Sequence, residues 1–322
     1  MEADGALEES SSAEGATEVE FLVGSCCLPH PDKLEWGGED AHFISDVGGG
    51  AFGVADGVGG WHQTGVNPAA YARGLMEVAH AYVEGRLPDN LASKHGVPPR
   101  TCPAKGHIID PRGAMHAAHM RTQVAGSSTC CIMQLDQSNR TLVAANLGDS
   151  GFIVLRRGVI IARSRPLQHY FDCPLQLGCF PDFVEATDTA DEAELYTIDV
   201  RPGDVIVAGT DGLWDNIDDA EIVSTVGRAD NPGAAAAQLA ARVQRHSADP
   251  GFHSPYAREA LQRGLDLPWW EKLWHSSMKD GRFQLGQLSG GKQDDITVVI
   301  ARVVAAAAAS PASPLEGKGG EC

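Results

Sequence analysis

The chain has 322 residues, a formal net charge of −18 and a hydrophobic fraction of 43%. A surface this acidic argues against nucleic acid and against an anionic membrane as partners. The hydrophobic fraction is typical of globular proteins, and no apolar run reaches the roughly 18 residues of a membrane-spanning helix. The eight cysteines form no Cys-x-x-Cys pair, which favours a reducing compartment.

Strand and helix patterns recur along most of the chain. Residues 1–19 are acidic and Ser-rich, which predicts a disordered N-terminal tail. Residues 305–322 are rich in Ala, which predicts a flexible C-terminal tail. Residues 20–304 are predicted to form one domain. Strands are predicted at 20–27, 41–46, 51–56, 128–135, 141–146, 151–155, 159–162, 194–200, 204–208 and 296–304. Helices are predicted at 67–85, 111–124, 220–226, 232–246, 254–264 and 268–279.

The predicted strands outnumber the helices and come in groups joined by short turns. The strands at 41–46 and 51–56 are linked across three glycines, which indicates a hairpin. Asn67 and Pro68 predict the N-cap and the first residue of the first helix. The stretch at 88–109 predicts an exposed loop. This organisation favours antiparallel sheets with helices on their outer faces, an α+β architecture.

One stretch, residues 50–61, combines a small apolar run typical of a buried strand with a Gly-rich turn. Asp56 lies between the two halves. A carboxylate that ends a buried strand needs a cation, an arginine or backbone N–H groups to neutralise it. For one such site alone, a routine Asp-Gly turn is the better explanation.

The same pattern recurs far along the chain, at Asp149, at Asp211, at the pair Asp294-Asp295 and at the pair Glu39-Asp40. If these strand ends converge, their like charges require cations. Carboxylate ligands suit magnesium or manganese, and two such ions that share a carboxylate can activate a bridging water for phosphoryl transfer. Independent turns remain the alternative, but they explain the repeated pattern less well.

Several ordered motifs resemble those of the metal-dependent serine/threonine protein phosphatases, the PPM family. The motifs are Gly38-Glu39-Asp40-Ala41-His42-Phe43, Val54-Ala55-Asp56-Gly57-Val58-Gly59-Gly60-Trp61, Gly126-Ser127-Ser128-Thr129, Asn146-Leu147-Gly148-Asp149-Ser150, Asp211-Gly212-Leu213-Trp214-Asp215 and Asp294-Asp295-Ile296-Thr297-Val298. The resemblance covers residues 21–304 and is closest to the mitochondrial and plastid branch. It implies an antiparallel β-sandwich flanked by helices, in four α-β-β-α layers, with a metal cleft at one end.

The resemblance also implies the ligands of a first metal ion. Asp56 would bridge two magnesium or manganese ions, and the Gly57 carbonyl would help to bind one of them. Asp211 and Asp294 would complete the ligands of one ion. These residues come from three distant parts of the chain, so the assignment requires the strand ends to converge.

The second ion would be held by Glu39 through water, with Asp40 close behind it as a catalytic residue. Asp149, together with Asp211, would correspond to a weaker third metal site. The resemblance therefore implies two divalent ions and a possible third.

Phosphate recognition departs from the family pattern. Many relatives have an arginine four residues before the first glutamate, and this chain has Glu35 there. Lys33 or His30 are the candidate replacements, and we take Lys33 as the catalytic phosphate ligand. A lysine would bind phosphate as a point charge rather than through a planar fork.

Two further positions depart from the family pattern. Val58 stands where many relatives have a histidine that is proposed to protonate the leaving group. His62 could replace it, but a surface histidine without a role is the stronger expectation. Asp295 stands where many relatives have asparagine, a change shared by this branch.

Two segments have no role in the motifs. Residues 165–183 fall where relatives have a variable flap, and their aromatic side chains either contact substrate or pack on the flap itself. The stretch 268–274 carries three tryptophans at helical spacing, which is more typical of a core or an interface than of chemistry.

The main hypothesis is an Mg/Mn-dependent phosphatase that hydrolyses phosphoserine and phosphothreonine in proteins through a metal-activated bridging water. The expected partner is a phosphoprotein, with no nucleic acid and no membrane, and the chain is expected to be a monomer. The alternatives are a pseudophosphatase that acts as a regulatory binding protein, and a hydrolase of non-protein phosphates. The resemblance points to the mitochondrion or chloroplast, while the N-terminus shows no targeting signal and leaves cytoplasm or nucleus open.

Overall fold

The computed structural model describes residues 18–87, 109–180, 187–229, 231–268 and 287–306, together with the backbone of 277–279 and 282–284. Most of both predicted tails, nearly all of the predicted loop at 88–109 and the Trp-rich stretch from 269 lie outside these residues. The domain boundaries therefore remain a prediction, although the first strand already begins at Val19 and the last one ends at Ala305.

The described strands are β1 (Val19–Leu28), β2 (Ala41–Ser45), β3 (Ala51–Ala55), β4 (Gly126–Ser128), β5 (Cys130–Asp136), β6 (Thr141–Leu147), β7 (Gly151–Arg156), β8 (Val159–Arg163), β9 (Gln168–Tyr170), β10 (Cys173–Pro174), β11 (Leu177–Cys179), β12 (Glu194–Asp199), β13 (Val205–Gly209), β14 (Ser277–Lys279), β15 (Arg282–Gln284) and β16 (Ile296–Ala305). The described helices are α1 (Pro68–Val83), α2 (Pro111–Arg121), α3 (Asp211–Trp214), α4 (Asp219–Val226), α5 (Pro232–Ser247) and α6 (Pro255–Gln262). None of these helices is long and apolar enough to cross a bilayer.

Local sequence signals account for most of these elements. At the start of α1, the Asn67 side chain accepts a hydrogen bond from the Ala69 N–H (3.1 Å) and Pro68 takes the first position, as predicted. At the start of α5, Asn231 caps the Ala234 N–H in the same way (2.8 Å). The apolar strand β3 is buried at all of its residues, whereas the edge strand β8 alternates between exposed and partly buried positions.

The strands form two five-stranded antiparallel sheets with the orders β1-β16-β13-β7-β8 and β12-β6-β5-β3-β2. Phe52 and Phe152 belong to the core between the sheets. Tyr71 of α1 and Met115 of α2 pack on the outer face of one sheet, and Leu239 of α5 packs on the outer face of the other. The predicted four-layer α-β-β-α sandwich is therefore confirmed.

The register of the strands brings the acidic strand ends to one end of the sandwich. In one sheet Ala41 lies opposite Ala55, and in the other Gly209 lies opposite Gly151. The turn at 148–150 connects the two sheets at this same end. The carboxylates that adjoin these strand ends are Glu39, Asp40, Asp56, Asp149, Asp211 and Asp294.

The structure differs from the predicted elements in several places, among them the unpredicted strand β4 and the unpredicted helix α3. The predicted helix at 268–279 is wrong at its end, because Ser277–Lys279 is a strand that pairs with Arg282–Gln284. The sequence between the two strands is Asp-Gly, at positions 280 and 281, a dipeptide that strongly favours a hairpin and that the sequence analysis overlooked. The segment at 165–191, which has no clear period, contains the short strands β9, β10 and β11, each too short to show a period in sequence.

Candidate active site

Asp56 lies in the turn that follows β3, and Thr129 holds its backbone. The Asp56 N–H donates to Thr129 Oγ1 (3.0 Å), and the Thr129 N–H donates to the Asp56 carbonyl (3.0 Å). A Cβ on Gly57 would lie 2.8 Å from the Glu39 carbonyl oxygen and 2.9 Å from that of Pro68. The turn is therefore packed too closely for a side chain at position 57, and it brings Asp56 next to the segment that carries Glu39.

Glu39 and Asp40 precede β2. The Glu39 side chain is fully buried, its Oε2 accepts a hydrogen bond from Lys33 Nζ (2.6 Å), and its Oε1 contacts His62 Nε2. Asp40 Oδ2 accepts a hydrogen bond from Thr210 Oγ1 (2.8 Å), while its Oδ1 is buried without a hydrogen-bond partner. The segment thus presents two carboxylates, one of which keeps an oxygen free of protein donors.

Asp211 and Asp294 reach the same place from the other sheet. Asp211 is the first residue of α3, and its Oδ1 is buried without a hydrogen-bond partner. A Cβ on the next residue, Gly212, would lie 2.0 Å from the Asp295 carbonyl oxygen, so α3 packs directly on the entry to β16. The Asp56 and Asp211 side chains are in contact, and Asp294 is close enough to influence both. The structure therefore brings strand-end carboxylates of both sheets into one cleft.

Burial, together with repulsion between neighbouring carboxylates, raises the pKa of most carboxyl groups in this cluster. Burial, Asp211 and Asp294 raise the pKa of Asp56. Burial and Asp211 raise the pKa of Asp294 to about 6 and that of Asp149 to about 7. Burial also opposes the charge on Asp211, but Lys292 more than reverses this and lowers its pKa. The cluster therefore carries more negative charge than nearby donors can stabilise.

Lys33, the predicted phosphate ligand, lies inside the cleft. Its Nζ is 2.6 Å from Glu39 Oε2, 3.1 Å from Asp295 Oδ2 and 3.4 Å from Asp294 Oδ1. Burial lowers the pKa of Lys33, but Asp294 and Glu39 more than offset this and hold the ammonium in its charged form. In this structure, its N–H groups are therefore directed at carboxylates.

Lys292 is a cleft residue that the sequence analysis missed. Its Nζ lies 2.6 Å from Asp211 Oδ2, 2.9 Å from Asp215 Oδ2 and 3.1 Å from Asp172 Oδ1. The sequence motif Asp211–Asp215 gave Asp215 no role of its own. In the structure, burial and Asp211 raise the pKa of Asp215 to about 8, so it belongs to the acidic cluster. The only feature of the sequence that could have pointed to Lys292 as a site residue is its position just before the paired aspartates at 294 and 295.

The side chain of Asp295, unlike that of its neighbour Asp294, accepts hydrogen bonds from two backbone N–H groups of the N-terminal loop. Its Oδ1 accepts a hydrogen bond from the His30 N–H (2.7 Å) and its Oδ2 accepts one from the Glu39 N–H (2.9 Å). The His30 ring, the second candidate for phosphate binding, accepts a hydrogen bond from the Asp32 N–H (3.1 Å). Asp295 therefore clamps the start of β16 to the N-terminal loop.

The position that carries a histidine in many relatives is Val58, whose side chain has no proton to give. Its N–H donates to the Ser127 carbonyl (3.0 Å). His62 is 44% exposed in its side chain, contacts Glu39 and packs edge-to-face on Trp36 at a ring distance of 5.5 Å. His62 is thus a surface residue, as expected, and its ring also contacts a carboxylate of the cluster.

A cleft of about 350 Å³ opens beside Asp149 and Asp211. One wall is the described part of the predicted flap, residues 165–180, which we call the flap. The Gln168 amide of the flap donates to Asp149 Oδ2 (3.1 Å), and the Phe171 ring packs on Tyr256 of α6 at 5.3 Å. The flap therefore lies beside the acidic cluster and packs on the body of the protein rather than only on itself.

The cluster offers only oxygen ligands, the donor set preferred by hard divalent cations such as Mg²⁺ and Mn²⁺. The unsatisfied buried atoms Asp40 Oδ1 and Asp211 Oδ1 fit such a cation. Within the described residues, no group of three or more His, Cys, Asp or Glu side chains is already arranged to hold a metal ion. The ammonium groups of Lys33 and Lys292 lie among the carboxylates instead. The chemistry of the site fits a divalent metal, and in the present geometry two ammonium groups balance only part of its negative charge.

The sequence is similar to known phosphatases over most of its length. The sequence model of the stage II sporulation protein E (SpoIIE) family matches residues 50–252. A probable protein phosphatase 2C 1 of Oryza sativa subsp. japonica is 39% identical over 289 residues, which span 89% of this chain and 77% of the relative. The human protein phosphatase PTC7 homolog is 34% identical over 83% of this chain and 79% of its own length.

The fold is shared with solved phosphatase structures. The photosystem II phosphatase PBCP superimposes with a TM-score of 0.73 and 36% identity over 88% of this chain and 98% of its own. The catalytic domain of the serine/threonine phosphatase PstP, solved with two manganese ions, shares the fold with a TM-score of 0.52 and 15% identity, over 89% of this chain and 99% of its own. With its acidic cleft, its four-layer sandwich and these relatives, the chain belongs to the PPM (protein phosphatase 2C) family of serine/threonine protein phosphatases.

Proposed function

We propose that this chain is a magnesium- or manganese-dependent phosphatase that removes phosphate from serine and threonine residues of proteins. One observation carries the proposal: carboxylates from both sheets meet at one point, where the Asp56 and Asp211 side chains touch. Two buried carboxylates in contact are stable only if one is protonated or a cation lies between them.

Two ions are proposed, held by Asp56, Gly57, Asp211, Asp294 and Glu39. When bound, they supply the water nucleophile and stabilise the charge of the phosphoryl oxygens. The PstP structure, with its two manganese ions, supports this assignment by analogy of fold.

The chain's own residues orient the reactants. Thr210 Oγ1 fixes one oxygen of Asp40 (2.8 Å), and the other oxygen has no protein donor, so Asp40 is proposed to hold a water molecule through it. Lys33 brings three N–H donors to the acidic cluster, and 20% of its side chain is exposed there. Once cations neutralise Glu39 and Asp294, these donors are available to phosphate oxygens.

Val58 cannot protonate the leaving alkoxide. General acid catalysis by a side chain supplies about 10²- to 10⁴-fold in rate. Aryl phosphates, whose leaving group needs no proton, are therefore expected to be hydrolysed relatively fast compared with phosphoserine peptides.

The proposal is tested by measuring phosphate release from phosphoserine and phosphothreonine peptides and from p-nitrophenyl phosphate, with Mn²⁺ and with EDTA. The wild-type protein should be active only with metal, and Asp56→Asn should lose activity on all three substrates. Asp199→Asn, at the exposed end of β12, is the matched control and should keep full activity. Activity in EDTA equal to that in Mn²⁺, or full activity of Asp56→Asn, would contradict the metal mechanism. Wild-type protein that binds phosphopeptides without turnover would favour a pseudophosphatase.

The cellular setting is also a proposal. The relatives include the PTC7 homologs and the photosystem II phosphatase, which support a mitochondrial or plastid location for this chain. We propose that the protein acts there as a monomer on phosphoprotein substrates. Imaging of the tagged full-length protein together with light scattering of the purified protein tests both statements, and a cytoplasmic signal or a stable dimer would contradict them.

A further inference from the structure

The ammonium group of Lys292 is enclosed by three carboxylates from separate parts of the chain. Asp211 begins α3 and lies 2.6 Å away, Asp215 follows α3 and lies 2.9 Å away, and Asp172 of the flap lies 3.1 Å away. An ammonium has three N–H donors, so each one has a carboxylate acceptor. The face of the Tyr256 ring lies 5.1 Å from the same nitrogen and adds a cation–π contact.

The two oxygens of Asp211 have different surroundings. Oδ2 accepts the hydrogen bond from Lys292 (2.6 Å), whereas Oδ1 is buried and has no hydrogen-bond partner. One oxygen is thus left for the ions of the proposed function, and the other is already occupied by a cation that belongs to the protein. Lys292 need not leave for Asp211 to bind one metal ion.

Asp149, the other carboxylate expected at a weak third metal site, lies in the electrostatic range of the same ammonium. Burial and Asp211 raise its pKa, and Lys292 opposes that rise. The Asp149 Oδ2 atom accepts a hydrogen bond from the Gln168 amide (3.1 Å), and no ion pair is formed by its side chain within the described residues. Lys292 is therefore a cation that acts on both Asp149 and Asp211.

We infer that Lys292 is a tethered cation that takes the place of a third divalent ion beside Asp149 and Asp211. The inference rests on the proposed function, because it concerns the acidic cluster in which two metal ions are proposed. It revises the expectation of a third metal site: this chain fills that position with its own side chain.

A tethered charge has an advantage over a free ion at a weak site. The effective concentration of a group on a short flexible linker is on the order of millimolar. A free ion of similar or weaker affinity that is present well below this concentration therefore displaces little of such a group. Lys292 is further held by Asp215 and Asp172, which do not belong to the proposed third site.

The tether also connects the third cation position to the flap. Asp172 has a left-handed backbone (φ 61°), and its Oδ2 accepts a hydrogen bond from the Tyr256 hydroxyl (3.3 Å). Lys292 therefore joins a flap residue to a carboxylate of the cleft through a single ammonium. A free metal ion at Asp149 and Asp211 would leave Asp172 without this link.

The test counts Mn²⁺ ions per chain by isothermal titration calorimetry and by electron paramagnetic resonance of free Mn²⁺. Lys292→Met should bind one more Mn²⁺ than the wild-type protein, and Lys292→Gln serves as a second variant if the first does not fold. The added ion should disappear again when Asp149→Asn is combined with Lys292→Met. Equal counts for the wild-type protein and both folded Lys292 variants would overturn the inference.

Arg263→Met is the matched control for the loss of one positive charge in the same cleft. Arg263 lies over the Phe171 ring (5.2 Å) and pairs with Glu259 (2.6 Å), not with the acidic cluster. It should bind as many Mn²⁺ ions as the wild-type protein, and a gain equal to that of Lys292→Met would overturn the inference. The wild-type count itself tests the proposed function separately, because the inference concerns only the difference between variant and wild type.

Discussion

Replacing Asp294 by asparagine should stabilise the metal-free protein near neutral pH. Burial and Asp211 raise the pKa of Asp294 from 3.8 to about 6, so its folded-state pKa lies above its unfolded value. Such a group favours the folded state while it is protonated, and this contribution is lost as the pH rises through the folded pKa. Asparagine imitates the neutral form at every pH. The variant should therefore match the wild-type protein below about pH 4, gain on it progressively up to about pH 6 and keep the full difference above that pH.

Two opposing effects set the size of this gain. A shift of roughly two pKa units corresponds to about 3 kcal/mol at 1.36 kcal/mol per unit. The attraction between Asp294 and Lys33, which are 3.4 Å apart, lowers this pKa and is already included in the shift. Burial and the repulsion from Asp211 outweigh it, so a gain of up to about 3 kcal/mol is expected. This gain corresponds to roughly 6 °C in melting temperature.

Urea unfolding in EDTA at several pH values between 4 and 8 measures the effect, with Asp199→Asn as the control for removal of an exposed carboxylate. The gain should grow from near zero at the acidic end to its full value at the neutral end. Addition of Mn²⁺ should reverse the order, because the wild-type protein gains stability from the ions it binds and the variant has lost a proposed ligand. A variant that is less stable than the wild-type protein at pH 8 in EDTA would refute the reasoning, and so would a difference that does not change with pH.

Two further predictions concern the framework around the site. Phe52 is fully buried between the sheets, so Phe52→Ala should lower the free energy of unfolding, measured in urea, by about 3 to 5 kcal/mol. Leu195 is 49% exposed, and Leu195→Ala is the control that should change this free energy by less than about 0.5 kcal/mol. Asp295→Asn retains only one accepting oxygen for the N–H groups of His30 and Glu39, and should cost about 1 to 3 kcal/mol; unchanged stability would show that these hydrogen bonds do not hold the loop.

The sequence predicted those parts of the fold whose signals are local. The Asn67-Pro68 pair predicted the start of α1, and the apolar run before Asp56 predicted a buried strand, because capping and burial act on neighbouring residues. The α+β class followed from the short turns between strands. The order of strands within each sheet was beyond such reasoning, because β16 pairs with strands that begin at residues 19 and 205.

The candidate site was predictable only in part. The aspartates at strand ends were conspicuous because a carboxylate beside a buried run requires a partner. Their counter-ions were not predictable: Lys292 is separated by 120 residues from Asp172 and by 81 from Asp211, and nothing local to the lysine indicates either contact. Asp295 was noticed as a departure from asparagine, but only its two backbone donors explain why a second accepting oxygen is useful there.

The contacts of Lys33 impose an order on the proposed reaction. Its ammonium lies 2.6 Å from Glu39 and 3.4 Å from Asp294, both of which are proposed to bind metal ions. While these carboxylates are unneutralised, they hold the N–H donors of Lys33 and they also repel a phosphate dianion. Binding of cations removes both obstacles at once. Because the chain lacks the arginine that many relatives use for phosphate, and Lys33 is its proposed replacement, tight substrate binding should follow metal binding rather than precede it.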